Sequence, residues 1–201
     1  MFSDTIDSSL GQVLLPIARA AISGALGRIQ QADETATWLR EKGACFVTLT
    51  QNQQLRGCIG TLEAHRPLLL DVKSNAQSAA LHDPRFPSLT LEELEKTEIE
   101  ISLLSAMQSM QFSGERDALA QLQQGVHGVV FEYGRHRSTF LPQVWEQLPS
   151  AGEFMAHLKY KAGLPLDFWA EGVRLSSYTV SKWKERDMLK SLQFAGESQG
   201  E

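Results

Sequence analysis

Hydrophobic and polar positions follow two different periods along the chain, and each period predicts a different kind of element. From Leu10 to Ile29 the apolar residues recur at helical spacing, so this segment is predicted to be a helix. Pro16 lies inside that pattern and is expected to stand near the helix start or at a kink, because proline has no N–H to donate. A second helical pattern follows Pro67 and places small residues such as Ala76 on one face.

Strands are predicted where β-branched and aromatic residues cluster or alternate with polar ones. Residues 44–62 predict a hairpin that turns at "QNQQ", and residues 99–103 alternate as in a half-buried strand. Residues 125–142 predict a second hairpin turning at Gly134, and residues 173–184 predict one last strand.

Two capping-box patterns predict helix starts, one near the middle of the chain and one in its second half. Thr90 with Glu93 predicts a short helix, and Ser150 with Glu153 predicts a longer one that stops at Gly163. Helices and strands therefore alternate irregularly, with hairpins among them. The pattern predicts an α+β fold with a mainly antiparallel sheet and flanking helices.

The bulk composition is that of an ordinary globular protein. The chain has 201 residues, of which 42% are hydrophobic and 21% charged, which favours one domain over residues 1–184 and a polar tail over residues 185–201. The formal net charge of −5 lacks the basic excess expected of a nucleic-acid-binding protein.

Cysteine usage and the N-terminal sequence point to one compartment. Two cysteines make no disulfide framework, so both are expected to be reduced thiols. The N-terminal stretch "MFSDTIDSSL" has no signal-peptide character, and no run reaches the roughly 20 apolar residues of a membrane span. The expectation is a soluble, cytoplasmic protein.

The stretch "LRGCIG" is the most informative candidate for chemistry. In a regular strand Arg56, Cys58 and Gly60 would share one face, with the guanidinium roughly 7 Å from the sulfur, where it would favour a thiolate. Gly57 and Gly60 carry no Cβ, so another backbone or a ligand could approach. The alternative is a structural Cys58 acting as a small hydrophobe, with the glycines marking only a bulge. Cys45, in the apolar run "GACFVTL", is predicted to belong to the core.

The loop "HDPRFP" is held at two places by proline. Its functional interpretation is a rigid lip on which Asp83 orients Arg85 toward an anionic group. Its structural interpretation is that Asp83 caps the turn and pairs with Arg85 to anchor the loop.

Histidine and lysine supply further candidates, each with a structural alternative. His127 in "GVHGV" could be the general base for Cys58, or a turn histidine satisfied by the backbone. Lys161 could bind an anion, or could simply complement the dipole at a helix end. His65 and His82 combine with Cys58 in no zinc-ligand pattern, so no metal site is predicted.

Several ordered motifs resemble one known family. The stretches "LRGCIGTLE", "NAQSAALHDPRFPSLTLEELEKTEIEISLLS", "GVHGVV", "FLPQVW" and "KAGLP" resemble the AMMECR domain family, known in prokaryotes as AmmeMemoRadiSam system protein A. The resemblance implies an α+β fold with two unequal lobes and a cleft near "LRGCIG". It also implies association with a Memo-like protein, similar to non-haem iron dioxygenases, and with a radical SAM protein.

The resemblance carries over onto individual residues of this chain, and the central motif shows no departure from it. The residues that match are Arg56, Gly57, Cys58, Gly60, Asp83, Arg85, Phe86, His127, Pro142, Gln143 and Lys161.

Two hypotheses follow from these residues. In the first, the protein is an enzyme or enzyme component that uses Cys58 as nucleophile or covalent carrier on a small anionic substrate, without a cofactor. Arg56 would favour the thiolate, Arg85 and Lys161 would bind charge, and His127 would be the base. The residues predicted to bind substrate are Arg56, Gly57, Gly60, Asp83, Arg85, Gln143 and Lys161. In the second, the protein is a non-catalytic adaptor that docks a Memo-like or radical SAM partner. An RNA-modification factor is a third possibility, against which the acidic composition argues.

Overall fold

The computed structural model describes residues 8–188, which form two compact units. The first unit contains the chain up to Leu104 and again from Ser181, and the second contains Ser105–Val180. Helices and antiparallel sheets occur in both units, and the predicted α+β class is confirmed.

The elements have the following bounds. The α-helices are α1 (Ser8–Ala25), α2 (Leu68–Leu81), α3 (Leu91–Leu94), α4 (Glu115–Gln121) and α5 (Ala151–Lys161), and two 3-10 helices span Thr37–Arg40 and Pro142–Glu146. The strands are β1 (Lys42–Gly43), β2 (Cys45–Gln51), β3 (Gln54–Gly60), β4 (Arg66–Pro67), β5 (Glu98–Leu104), β6 (Gln108–Ser109), β7 (Gly128–Tyr133), β8 (His136–Phe140), β9 (Arg174–Tyr178) and β10 (Val180–Lys184).

A four-stranded sheet in the order β10-β5-β2-β3 is the centre of the first unit. Strand β2 is antiparallel to both β3 and β5, and its alternate residues Val47 and Leu49 are fully buried. Helices α1 and α2 supply the other side of this core through residues such as Ile17 and Val72. Burial of these apolar side chains is the main stabilising contribution in the unit.

The first helix ends earlier than its apolar pattern predicts. Pro16 lies inside α1, as expected, but the helix stops at Ala25. Gly27 has φ +84°, a left-handed conformation that terminates a helix. The prediction that Ile29 belongs to the helix is wrong, because Ile29 lies four residues beyond the helix end and is 92% exposed.

The predicted hairpin of β2 and β3 is confirmed, and a two-residue turn closes it. Asn52 and Gln53 have φ +50° and +64°, the conformation of a turn whose twist matches that of the flanking strands. Strand pairing starts directly beside the turn, at Gln51 and Gln54.

A β-bulge interrupts this hairpin after its first two residue pairs. Thr50 pairs with Leu55, but the next residue of β2, Leu49, pairs with Gly57. Arg56 is therefore the extra residue of β3. A bulge of this kind shifts the register by one and turns all following side chains to the opposite face.

A second four-stranded sheet, in the order β6-β9-β7-β8, carries the second unit. Its predicted β7–β8 hairpin is confirmed and turns at Gly134, with φ +56°. Helix α5 begins after Ser150, whose hydroxyl accepts the Glu153 N–H at 3.1 Å. The Glu153 carboxylate accepts from that same hydroxyl rather than from the backbone, so only half of the predicted capping box forms.

The single strand predicted over residues 173–184 is in fact two strands in two different sheets. Thr179 separates β9 from β10, and both its backbone groups bond to Ser105. Its N–H donates to the Ser105 hydroxyl, and its carbonyl accepts the Ser105 N–H. Residues typical of strands occur on both sides of Thr179, so local composition alone does not separate β9 from β10.

The predicted C-terminal tail begins as an attached segment. Glu185 accepts hydrogen bonds from Arg19 at 2.5 and 2.6 Å and from the Ile99 N–H at 2.9 Å. The rest of that tail, residues 189–201, lies outside the described residues.

Candidate functional site

The bulge decides which face of the sheet carries Cys58. Regular pairing from the turn would set Arg56 opposite Leu49 and Cys58 opposite Val47, on the buried face of the sheet. Because the register shifts by one, Cys58 instead stands opposite Thr48 on the other face. The thiol is half-buried there and does not belong to the core.

Arg56 does not stand over the sulfur, and that expectation is corrected. Its guanidinium donates to the Glu93 carboxylate at 3.3 Å, and the side chain is 10% exposed. Glu93 also accepts the Thr90 N–H as part of the confirmed capping box of α3. The prediction failed because it assumed regular alternation, whereas Arg56 is the bulged residue.

A different arginine lies at Cys58. Arg85 donates through Nε and Nη2 to the two oxygens of Asp83, at 2.9 and 2.7 Å, and its Nη2 also donates to the Cys58 carbonyl at 3.1 Å. Asp83 is buried and accepts the Cys58 N–H at 2.8 Å. Both predicted roles of the loop are therefore compatible, because Asp83 anchors it while the Arg85 side chain stays 53% exposed.

Charge is fixed on both members of this Asp83–Arg85 clamp. The hydrogen bond from Arg85 is the main cause that holds the pKa of Asp83 far below its ordinary value. The pKa of Arg85 is raised, first by that hydrogen bond and also by the charge of Asp83. Asp83 thus stays a carboxylate and is a poor proton acceptor, while Arg85 is a permanent cation close to the thiol.

The two thiols have contrasting surroundings. The Cys58 sulfur lies 3.2 Å from the Thr48 hydroxyl oxygen. Cys45 is fully buried, which confirms its predicted place in the core, and its pKa is raised mainly by desolvation and then by the charge of Asp71. Cys45 is therefore an inert internal reference for Cys58.

Protein atoms occupy the space that both motif glycines leave. A Cβ at Gly57 would lie 2.1 Å from the carbonyl oxygen of Ala79 in α2. A Cβ at Gly60 would lie 2.2 Å from the ring of Phe46 on the neighbouring strand. Close packing within the first unit thus explains why both positions need glycine, and contact of either with a ligand stays a prediction.

His127 belongs to the second unit, where the backbone satisfies it locally. Its Nδ1 accepts the Gln123 N–H at 3.2 Å, and its carbonyl accepts the indole N–H of Trp145 at 2.7 Å. These bonds fit the turn-histidine alternative. Its role as base for Cys58 stays a prediction.

Lys161 and Gln143 also belong to the second unit. The Lys161 ammonium donates to the Thr139 carbonyl at 2.9 Å and lies 5.0 Å from the centre of the Phe140 ring. Gln143 is exposed in the 3-10 helix after β8. Their assignment to substrate binding stays a prediction.

A buried polar network beside the motif escaped the sequence analysis. Asp71 is fully buried and accepts four hydrogen bonds, from the Cys45 N–H at 2.9 Å, the Thr61 hydroxyl at 2.7 Å, Arg66 Nε at 2.8 Å and Asn75 Nδ2 at 2.9 Å. Asp71 therefore links Thr61, the residue that follows "LRGCIG", to helix α2 and to strand β2.

The available signal for this network was a polar pair one helical turn apart. Asp71 and Asn75 interrupt the apolar face that Leu68, Val72 and Ala76 form on α2. A carboxylate on a buried helix face requires several donors, because an unpaired buried charge is strongly destabilising.

The described part of the chain offers no ready metal centre. Within residues 8–188, no group of three or more histidine, cysteine, aspartate or glutamate side chains is arranged to hold a metal ion.

Fold and site together define an α+β protein of two compact units whose candidate site is a thiol on an outer strand, clamped by an Asp–Arg pair. The chain belongs to the AMMECR1 family, whose model matches residues 15–183. The resemblance noted from the motifs is confirmed.

Similar proteins from archaea span nearly the same length. The protein MJ0810 of Methanocaldococcus jannaschii is 36% identical over 87% of this chain and 90% of its own. A protein of Methanothermobacter thermautotrophicus is 36% identical over 78% of this chain and 84% of its own. The crystal structure of the uncharacterized protein PH0010 from Pyrococcus horikoshii is similar with a TM-score of 0.74, at 31% identity, covering 88% of this chain and 92% of that one.

Proposed function

We propose that this protein is a cysteine-dependent enzyme, or an enzyme component, that acts on a small anionic substrate. One observation carries the proposal: the bulge at Arg56 turns Cys58 out of the core and places it beside Arg85. A cysteine with a purely packing role would gain nothing from this shift. Bulges next to functional sites commonly re-aim a side chain in this way.

Arg85 supplies the positive charge that the sequence assigned to Arg56. Its bonds to Asp83 and Cys58 use Nε and Nη2, and Nη1 takes no part in them. The Nη1 group is therefore the part of the guanidinium that can donate to a carboxylate or phosphate of a substrate. Lys161 and His127 remain the candidates for further charge binding and for the base.

The geometry also restricts the chemistry. The Cys58 N–H is donated to Asp83, so this amide does not serve as an oxyanion donor. Negative charge that develops on a substrate near the sulfur is therefore stabilised by the Arg85 guanidinium. This favours Cys58 as nucleophile or covalent carrier for a substrate that already bears an anionic group.

Alkylation rates test the proposal directly. Near neutral pH, iodoacetamide is expected to modify Cys58 at least about tenfold faster than Cys45, because Cys45 is fully buried and desolvation raises its pKa. Intact-mass and peptide spectrometry would read both sites in one sample. The fast phase should vanish in Cys58→Ser and persist in Cys45→Ser, and equal slow labelling of both thiols contradicts the proposal.

We further propose that the protein acts in the cytoplasm with a Memo-like and a radical SAM protein. The partnership is what the resemblance of the motifs to the AmmeMemoRadiSam system protein A family implies. Both cysteines are free thiols, which suits a reducing compartment. Across residues 8–188, the helices are too short or too polar to cross a bilayer.

A non-catalytic adaptor is the second candidate, and a specific observation favours it. Arg56 and both motif glycines have structural reasons within the first unit. The exposed Arg85 could then dock an acidic group of a partner protein instead of a substrate.

Complex formation separates the two candidates. An adaptor predicts that Arg85→Ala weakens co-purification with a Memo-like or radical SAM partner by about tenfold, while Cys58→Ser leaves it intact. Arg85→Lys is the matched variant, since it keeps the charge and loses the planar fork. Co-purification that none of these changes affects removes the adaptor hypothesis.

A further inference from the structure

We infer that the Thr48 hydroxyl donates a hydrogen bond to the Cys58 sulfur and thereby sustains its thiolate form, which makes Thr48 a positioning residue of the site. This inference rests on the proposed function, because it assigns a role within the same site. Thr48 is not among the candidate residues that the sequence predicts.

Strand pairing forces the two side chains together. Thr48 and Cys58 are directly opposite each other on β2 and β3. The Cys58 N–H and carbonyl bond to Asp83 and Arg85, so they point away from β2. The pair is therefore of the non-hydrogen-bonded kind, in which opposed side chains approach most closely. The resulting distance from sulfur to hydroxyl oxygen is 3.2 Å.

Between a neutral thiol and a hydroxyl, either group could be the donor at this distance. A thiolate can only accept, whereas the Thr48 hydroxyl carries one proton that it can donate. A hydrogen bond made to the charged form of a group favours that form. Thr48 and Arg85 would thus act on Cys58 from two sides, one by a hydrogen bond and one by its charge.

Charged groups of both signs lie on the elements around this pair, and several of them form ion pairs with one another. Opposite Thr48 on β5 lies Glu100, whose carboxylate disfavours a thiolate but is paired with Lys184 of β10 at 3.2 Å. The charged groups nearest to the pair by these contacts and registers are Arg56, Asp83, Arg85, Glu93, Glu98, Glu100 and Lys184.

Variants at Thr48 test the inference in the full-length protein. Thr48→Val keeps the shape but removes the hydroxyl, and Thr48→Ser keeps the hydroxyl. The readout is the rate of Cys58 alkylation by iodoacetamide between about pH 6 and pH 10, around the ordinary thiol range. Thr48→Val is expected to move the midpoint of this profile up by about one pH unit, so that labelling below it slows about tenfold.

Two comparisons make the result specific. Thr48→Ser should restore the original midpoint, which a purely structural role would not require. Thr50→Val is the matched control, because Thr50 is two residues along the same face of β2 and its hydroxyl is directed at Glu98 at 3.5 Å. Its profile should coincide with that of the unmodified protein.

Failure of this inference is distinguishable from failure of the proposed function. A Thr48→Val profile that overlays the unmodified one, with Cys58 still reacting faster than Cys45, overturns the role of Thr48 alone. A profile shifted equally by Thr50→Val does the same. If Cys58 labels no faster than Cys45 in the unmodified protein, the proposed function falls and the role of Thr48 with it.

Discussion

Gly57→Ala is expected to lower the free energy of unfolding of the first unit by about 3 kcal/mol. The added Cβ would stand 2.1 Å from the Ala79 carbonyl oxygen, far inside van der Waals contact. That oxygen belongs to the backbone of α2, so relief requires moving a helix away from the strand and cannot come from a side-chain rotation. Urea unfolding followed by circular dichroism would measure the loss.

Alanine substitutions at two other glycines provide comparisons for the loss of stability in Gly57→Ala. Gly60→Ala should cost less, because the obstacle is the half-buried ring of Phe46, which can turn aside. Gly24→Ala, near the end of α1, meets nothing within 4 Å and should stabilise by about 0.5–1 kcal/mol. A Gly57 variant as stable as the original protein would show that the strand and α2 are not packed as described.

Asp71→Ala is expected to cost about 3–5 kcal/mol, the usual result of removing one partner of a buried ion pair. Its carboxylate accepts from Thr61, Arg66, Asn75 and the Cys45 N–H, and all four donors lose a partner at once. Amide hydrogen exchange should locate the loss in β2 and in the segment after β3. The same urea titration would give its size.

Conservative and remote variants check this second prediction. Asp71→Asn keeps the shape of the side chain but turns one acceptor into a donor, so it should recover only part of the loss. Asp167→Ala removes an exposed carboxylate and should change stability by less than about 0.5 kcal/mol. A loss of less than about 1 kcal/mol of unfolding free energy for Asp71→Ala would contradict a stabilising role for the network.

Local signals were enough for most elements of the fold. The helix after Pro67 and the capping box of Thr90 with Glu93 depend on residues within one or two turns of each other. The hairpin turn over Asn52 and Gln53 needs only its own four residues. Patterns of this range depend little on distant parts of the chain, so the sequence alone could predict these elements.

The site depended on non-local information and was predicted only in part. The glycines suggested a bulge as one alternative, but no local pattern says that Arg56 is the extra residue or that Cys58 changes face. The partner of Arg56 is 37 positions away and that of Cys58 is 25 positions away. Cys58, Asp83 and Arg85 were identified as candidates, but which arginine lies at the thiol was decided by register.

Among the strands within residues 8–188, β3 is the outermost of its sheet, and the Asp83–Arg85 clamp lies along its outer side. An outer strand offers unpaired peptide groups to which a strand of another molecule can add. At Cys58 a carboxylate already accepts the outward N–H and a guanidinium already donates to the outward carbonyl, as a neighbouring strand would. We therefore expect the Asp83–Arg85 pair to disfavour the addition of a strand from another molecule along this stretch of β3.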